Sequence, residues 1–175
     1  RRRGRRKERV KPTIRLADLG EAPHITALIE RAYRGEESKT GWTSEADLLT
    51  GPRTSVDEIA AIMRDPLARF LVADANDGGL AACALIRNEQ GSGYFGMFAV
   101  RPDTQGAGLG RQMIEAAERH LRDLWRVPTV YMTVINLRQD LIAYYERRGY
   151  RRTGERKPFP FDIAPGATRT DFHLT

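Results

Sequence analysis

The hexapeptide Gln105-Gly106-Ala107-Gly108-Leu109-Gly110 stands between a β-prone apolar run, Tyr94 to Val100, and a strongly periodic stretch that begins near Leu109. Glycines lack a Cβ, so such a loop can turn with φ > 0 and bring bare backbone N–H groups against an anion. The helix that follows adds the positive end of its dipole. The placement predicts a cradle for a phosphate-bearing ligand, and the glycine spacing narrows which one. A dinucleotide fingerprint needs Gly-x-Gly-x-x-Gly, but position 111 is Arg and the third glycine arrives one residue early at Gly110. No Lys-Ser or Lys-Thr pair follows to reach a β/γ-phosphate and a magnesium ion, which disfavours ATP and GTP as well.

What remains, Gln105-x-x-Gly108-x-Gly110, resembles the pyrophosphate signature Gln/Arg-x-x-Gly-x-Gly/Ala of the GNAT superfamily of N-acetyltransferases. Met97-Phe98-Ala99-Val100-Arg101-Pro102 is similar to that family's strand and its exit. Further on, Asn136 and then Ala143-Tyr144-Tyr145-Glu146-Arg147-Arg148-Gly149-Tyr150 resemble its Asn…Tyr-Glu-x-x-Gly-Phe/Tyr segment. Two motifs in the right order carry far more weight than a glycine loop alone, which is often an ordinary strand-to-helix turn.

The rest of the chain bounds the reading. With 175 residues, 41% of them hydrophobic, it is long enough for one domain with a good core and too short for two of typical size. No apolar run reaches about 18 residues, and no charged segment precedes an apolar one as in a secretory signal, so a soluble, cytoplasmic protein is expected. The lone Cys83 lies in the apolar run Leu80 to Ile86, which excludes an internal disulfide and favours a packed strand residue over a nucleophile. His24, His120 and His173 are scattered, so no metal site is expected. The net charge of +6 is concentrated in residues 1–11, which carry eight Lys/Arg and one Glu. That tail is expected to be a flexible extension ahead of a domain over 12–175. It could also bind nucleic acid through counterion release, although no interleaved aromatics offer base stacking there.

Periodicity supplies the elements. Thr13 to Ala17 alternates as a strand, and Asp18 to Tyr33 carries Ala22, Ile25, Leu28, Ile29 and Ala32 as a helical stripe. Residues 34–54 read as a connection. Ser55-Val56-Asp57-Glu58 is a capping box for a helix through Ile59, Ile62 and Met63, which stops before Asp65-Pro66. Residues 69–75, 80–87 and 92–100 read as an antiparallel meander joined by turn-rich segments. From Leu109, Met113, Ala117, Leu121 and Leu124 recur at helical spacing as far as Trp125, and Pro128 marks the exit to a strand over 129–135 expected to run parallel to 94–100. A helix over about 140–148 closes at Gly149, followed by strands near 150–155 and 169–174. The order β-α-α-β-β-β-α-β-α-β-β matches the arrangement implied by the resemblance: an α+β fold with a mixed, mainly antiparallel sheet of about seven strands flanked by about four helices.

The resemblance also implies chemistry. It implies an acetyl-CoA-dependent N-acetyltransferase in which a primary amine attacks the thioester directly, in a ternary complex and without a covalent acetyl-enzyme. The pyrophosphate would meet the amides of Gly106, Ala107, Gly108, Leu109, Gly110 and Arg111 next to Gln105. The pantetheine would lie along the strand carrying Phe98 and Val100, and the Val100 amide would be near the thioester carbonyl. An oxyanion donor of that kind is worth ~2.7 to 4 kcal/mol. Tyr145, rather than Tyr144, aligns with the family's acid for the departing thiolate, acting as a phenol of pKa about 10 without a large shift. Asn136 would hold a pantetheine amide or cap the next helix. Arg101, Arg111 and Arg138 lie beside the motifs and could screen phosphates, Arg111 chiefly through its N–H.

The sequence departs from the family at the base, because Tyr94-Phe95-Gly96-Met97-Phe98 contains no carboxylate where relatives place a Glu. Glu45, a water chain to backbone carbonyls, or an acceptor amine of low pKa remain open. Trp42 with Glu45 pairs an aromatic and a carboxylate in the region that covers the acceptor pocket in relatives, but both also suit a core anchor and a helix start. The acceptor, small molecule or peptide, is not legible, and an oligomer is possible. A non-catalytic acyl-CoA-binding module and a nucleic-acid adaptor acting through the tail are the alternatives.

Overall fold

A computed structural model describes residues 12–33, 54–104, 108–135, 138–158 and 168–174 of the chain. Among the described residues there are seven strands and four α-helices: β1 (Ile14–Leu16), α1 (Ala22–Tyr33), α2 (Val56–Arg64), β2 (Ala68–Asp74), β3 (Leu80–Glu89), β4 (Ser92–Val100), α3 (Leu109–Trp125), β5 (Val130–Ile135), α4 (Gln139–Glu146), β6 (Tyr150–Pro158) and β7 (Thr168–Leu174). They form one sheet in the order β1-β2-β3-β4-β5-β7-β6. Every neighbouring pair is antiparallel except β4 and β5, which are parallel. The α+β arrangement and the element order agree with the sequence reading. The tail over residues 1–11 lies outside the described residues, as does 34–53 of the connection.

Local chemistry accounts for most boundaries. The first helix begins later than Asp18, because Leu19–Glu21 forms a 3-10 turn in which the Glu21 carboxylate accepts from the Asp18 N–H at 2.8 Å. The expected stripe Ala22, Ile25, Leu28, Ile29 and Ala32 is the buried face of α1. Ser55 caps α2 by accepting from the Glu58 N–H at 3.2 Å, while the Glu58 carboxylate accepts from the Thr54 hydroxyl at 2.6 Å. In the β3–β4 hairpin Gln90 and Gly91 both have positive φ, 51° and 87°, the signature of a two-residue primed turn. The stripe of α3 holds through Met113, Ala117 and Leu121 but not Leu124, which is 43% exposed in the last turn, just before Arg126 turns left-handed.

Two apolar cores flank the sheet. One lies under α3 and α4 and includes Phe95, Phe98, Val100, Met113, Ile142 and Tyr145. The other lies under α1 and α2 and includes Ile25, Ile29, Phe70, Cys83 and Ala99, with Tyr94 and Met97 packed at its edge. Strict alternation along β4 would put Met97 with Phe95. It lies on the opposite face because the strand carries an extra residue: Cys83 pairs with Ala99 but Leu85 with Gly96, so three steps on β4 match two on β3. Met97 takes the strain, with φ at +42°, a region few side chains adopt.

Gly96 sits in this bulge because the Tyr94 ring folds over it. A Cβ there would meet Tyr94 Oη at 2.3 Å and Cζ at 2.5 Å, while Tyr94 itself packs against Tyr131 at 5.3 Å. Gly96→Ala is therefore expected to push Tyr94 off Tyr131 and cost about 1–3 kcal/mol in urea unfolding. The same substitution in a Tyr94→Ala background should cost much less; an equal cost in both backgrounds would refute the clash as the cause.

Candidate active site

The site is built on the edge that β4 leaves open. β4 and β5 pair only at Gly93↔Val130 and Tyr94↔Tyr131, and beyond Tyr94 they part. The direction of the backbone groups in that gap follows from the ladder with β3. Arg101 N–H bonds to Ala81 C=O at 2.8 Å, which makes Ala82↔Val100 the non-hydrogen-bonded kind of antiparallel pair. Val100 N–H and C=O thus face away from β3, toward the gap, and Phe98, two residues back, turns its carbonyl the same way. Phe98 and Val100 are 3% and 1% exposed, so their side chains serve the core while their main chain serves the gap.

At the far end of β4 the chain passes through the 3-10 turn Pro102–Thr104 and into the glycine loop. Gly108 precedes α3 with φ +80° and ψ 5°, the left-handed conformation that the glycine was expected to supply. The first intrahelical bond of α3 is Gln112 N–H to Gly108 C=O at 3.2 Å. The amides of Leu109, Gly110 and Arg111 therefore belong to the unpaired first turn, where the helix presents positive partial charge. No acidic residue lies in that turn to offset it. Gln105, Gly106 and Ala107 lie outside the described residues.

Helix α4 carries Ile142 and Tyr145 into the α3/α4 core, in the cluster that holds Phe98 and Val100. Tyr145 is 4% exposed and packs edge-on against Tyr144 and Tyr150, with ring centroids 5.5 Å and 6.0 Å away. Burial pushes its phenol well above the ordinary range, and the phenols of Tyr33, Tyr144 and Tyr150 push the same way. The raised pKa favours the neutral phenol, whereas the sequence reading needs no large shift for the role of acid. Tyr144 is half-buried beneath the Arg148 guanidinium, whose carbon lies 3.4 Å from the ring centroid. Arg148 also donates to the Tyr144 carbonyl at 3.0 Å.

From the opposite face comes a residue that sequence reading did not single out. Tyr33, the last residue of α1, donates its hydroxyl to the Phe98 carbonyl at the bulge. In the sequence it looks like one more apolar residue closing an amphipathic helix. Its partner is a main-chain carbonyl 65 residues further along the chain, which no local pattern points to.

The arginines divide by their partners. Arg101, a candidate for screening phosphates, is instead committed to Asp77 at 2.8 Å and Asp103 at 2.7 Å, and it holds Asp103 below the usual carboxylate range. It thereby ties the β2–β3 turn to the turn that leads into the glycine loop, where Thr104 N–H and hydroxyl both donate to the Arg101 carbonyl at 2.9 Å. Arg138 pairs with Asp140 at 3.2 Å and Arg111 with Glu115 at 2.9 Å. Arg111 also lines a cavity of about 490 Å³ between α3 and α4, with Ile114, Glu115, Glu118, Arg147 and Arg148. Asn136, Trp42 and Glu45 lie outside the described residues. Among those described, no group of three or more His, Cys, Asp or Glu could hold a metal ion, and no helix is long and apolar enough to cross a membrane.

A parallel pair that parts beside a helix start led by a left-handed glycine suits a ligand that is peptide-like at one end and anionic at the other. A family model described as the acetyltransferase (GNAT) family matches residues 28–150. The chain belongs to the GNAT acetyltransferase family. It is 30% identical over 154 residues to an S-(2-succino)cysteine N-acetyltransferase of Bacillus subtilis strain 168, covering 83% of this chain and 88% of that one. A spermine/spermidine N(1)-acetyltransferase of the same strain is 29% identical over 68 residues, 39% of this chain and 45% of that one. Among solved structures, a ribosomal-protein alanine N-acetyltransferase from Escherichia coli superposes with a TM-score of 0.71 at 21% identity, covering 94% and 93% of the two chains. The spermidine/spermine N-acetyltransferase SpeG from Vibrio cholerae does so with a TM-score of 0.67 at 17% identity, covering 94% and 92%. Of the readings the sequence left open, the acetyl-CoA-dependent N-acetyltransferase of the GNAT family therefore stands, with an amine as acceptor.

One titration in this enzyme can be checked directly. Glu118, half-buried on the α3 side of the cavity, has its carboxyl pKa raised by burial, against the opposing hydrogen bond from the Tyr150 hydroxyl at 2.8 Å. A raised folded-state pKa favours the protonated acid, so Glu118's contribution is fully present below about pH 4.3 and is lost as pH rises through the folded value. Glu118→Gln keeps an acceptor for Tyr150 without the charge. Its melting temperature should exceed wild type at pH 8, with the gain shrinking toward pH 4; a pH-independent difference would contradict this.

Proposed function

We propose that this GNAT acetyltransferase joins acetyl-CoA and a small primary amine in a ternary complex and transfers the acetyl group by direct attack. The observation that carries the reading is the parting of β4 from β5 beyond Tyr94, with Val100 N–H and Phe98 C=O on the side of β4 that faces away from β3 and Tyr145 in the same core cluster. On this reading the amides from Gly106 to Arg111, with Gln105 beside them, hold the diphosphate. The second lone pair of the Phe98 carbonyl takes a pantetheine N–H, and Asn136 takes another amide of the same arm. Val100 N–H donates to the thioester oxygen, most strongly once that oxygen carries charge.

The amine nitrogen forms a bond to the acyl carbon as the carbon–sulfur bond breaks. Tyr145 donates a hydrogen bond to the departing sulfur and keeps its proton, because burial and its neighbouring phenols oppose tyrosinate. The proton that neutralises the thiolate is the one the amine sheds. Direct attack is supported by Cys83, the chain's single thiol: it is fully buried on the α1/α2 side, and burial pushes its pKa up to about 12. It is unsuited to carry an acyl group.

The base on β4 is missing from the sequence, which favours an acceptor that is deprotonated near neutrality. An α-amino group, at about 8 in a peptide, fits this better than a lysine-like amine near about 10.4. The relative matched over most of the chain carries an amino-acid conjugate in its name, so an S-substituted cysteine leads the acceptor list. Glu45 and Trp42 are proposed to complete the acceptor side, and polyamines are the next class.

The test is thiol release from acetyl-CoA across S-(2-succino)cysteine, spermidine, spermine, free amino acids and peptide N-termini. At least one acceptor should turn over; no release with any would remove the proposed reaction. With that acceptor, Tyr145→Phe should lower kcat about 10- to 100-fold while acetyl-CoA affinity stays close to wild type. Unchanged kcat would take Tyr145 out of the mechanism.

A further inference from the structure

We propose that Tyr33 is a positioning residue for acyl transfer. By donating its hydroxyl from the end of α1 to the Phe98 carbonyl, it pins the β4 bulge and so aims the Val100 N–H. The inference rests on the reading above that Val100 N–H serves the acyl oxygen.

The strand needs such a pin beside its bulge, because the Phe98 carbonyl faces away from β3 on the side where β5 has parted and must find a donor. An extra residue in one strand leaves backbone groups out of the ladder, and a buried carbonyl without a donor is costly. Here the shift between Cys83 and Leu85 sets Met97 and Phe98 against β3 with Met97 at φ +42°. The Met97 carbonyl accepts from the weak donor Cys83 Sγ at 3.7 Å. The Phe98 carbonyl receives the Tyr33 hydroxyl, from a residue 65 positions earlier. Phe98 and Val100 share one strand edge, so the direction of the first carbonyl and that of the second amide are linked through two residues of rigid backbone.

Tyr33 is also in electrostatic reach of the Tyr145 phenol. The two tyrosines come from opposite sides of the sheet, Tyr33 on α1 and Tyr145 on α4. The hydroxyl of Tyr33 is spent on main chain, which separates its role from that of a group acting on the reacting atoms.

The experiment compares Tyr33→Phe with wild type, keeping the ring and removing only the donor. Misaiming a reacting contact by a fraction of an ångström to 1 Å predicts a kcat lower by about 10- to 100-fold. The KM for acetyl-CoA should rise by much less than kcat falls, because Phe98 is one of several main-chain contacts proposed for the cofactor, and the pH profile should keep its shape, because the lost phenol exchanges no proton with the reacting groups. Loss of melting temperature with kcat intact would show a merely structural role, and a raised KM with kcat intact would show a cofactor contact; either overturns the proposal. Loss of one limb of the pH profile would do so too, by making Tyr33 a proton carrier. A second measurement is independent of turnover. The amide proton resonance of Val100 in ¹⁵N-labelled protein saturated with acetyl-CoA should differ between wild type and Y33F, and coincident resonances would overturn the proposal. Wild-type protein inert toward every acceptor would fail the functional reading instead, while the Val100 resonance would still judge the pin.

Discussion

The parting of β4 from β5 is the constraint on which the rest of this molecule depends. Among the described residues, the two parallel strands pair at Gly93 and Tyr94 and then diverge, so that the rest of β4 is not laddered to β5. Main-chain groups in a buried place must find partners. Closing the gap would satisfy them within the sheet. The fold instead keeps the gap open by packing it from both faces, with Phe98 and Val100 rooted in one core and Ala99 in the other.

The extra residue at Met97 lets a single strand serve both cores and the gap. It resets the alternation, so that Tyr94 and Met97 lie on the α1/α2 face although three positions apart. It also stores strain in a positive φ that neighbouring elements must hold. Gly96 makes room for the Tyr94 ring on that face, and Tyr33 supplies the donor that the shifted carbonyl requires.

Charge is arranged so that attraction at the cradle comes from oriented main chain. Arg101, next to the loop, is neutralised by Asp77 and Asp103 and acts as a brace between two turns. The start of α3 contributes its first-turn amides and the helix dipole, which stay fixed in place as flexible side chains cannot. At Tyr145, on α4, burial likewise favours a neutral group, the protonated phenol.

Amino-acid order by itself determined the elements and the family. Local signals with short reach were enough: the stripe Ala22, Ile25, Leu28, Ile29 and Ala32, the cap at Ser55, the turn glycines, and the pairing of Gly108-x-Gly110 with Ala143-x-Tyr145-Glu146. These act through 3.6- and 2-residue periods and through single-residue φ preferences, so a one-dimensional reading captures them. Tertiary structure alone decided the register shift at Met97, the reach of Tyr33 to Phe98, the diversion of Arg101 to Asp77 and Asp103, the exposure of Leu124 and the raised pKa of Tyr145. Each depends on what a residue meets across the sheet, often more than 20 positions away in the chain, and no local pattern encodes which strand residue will face the gap once one extra residue has slipped the ladder.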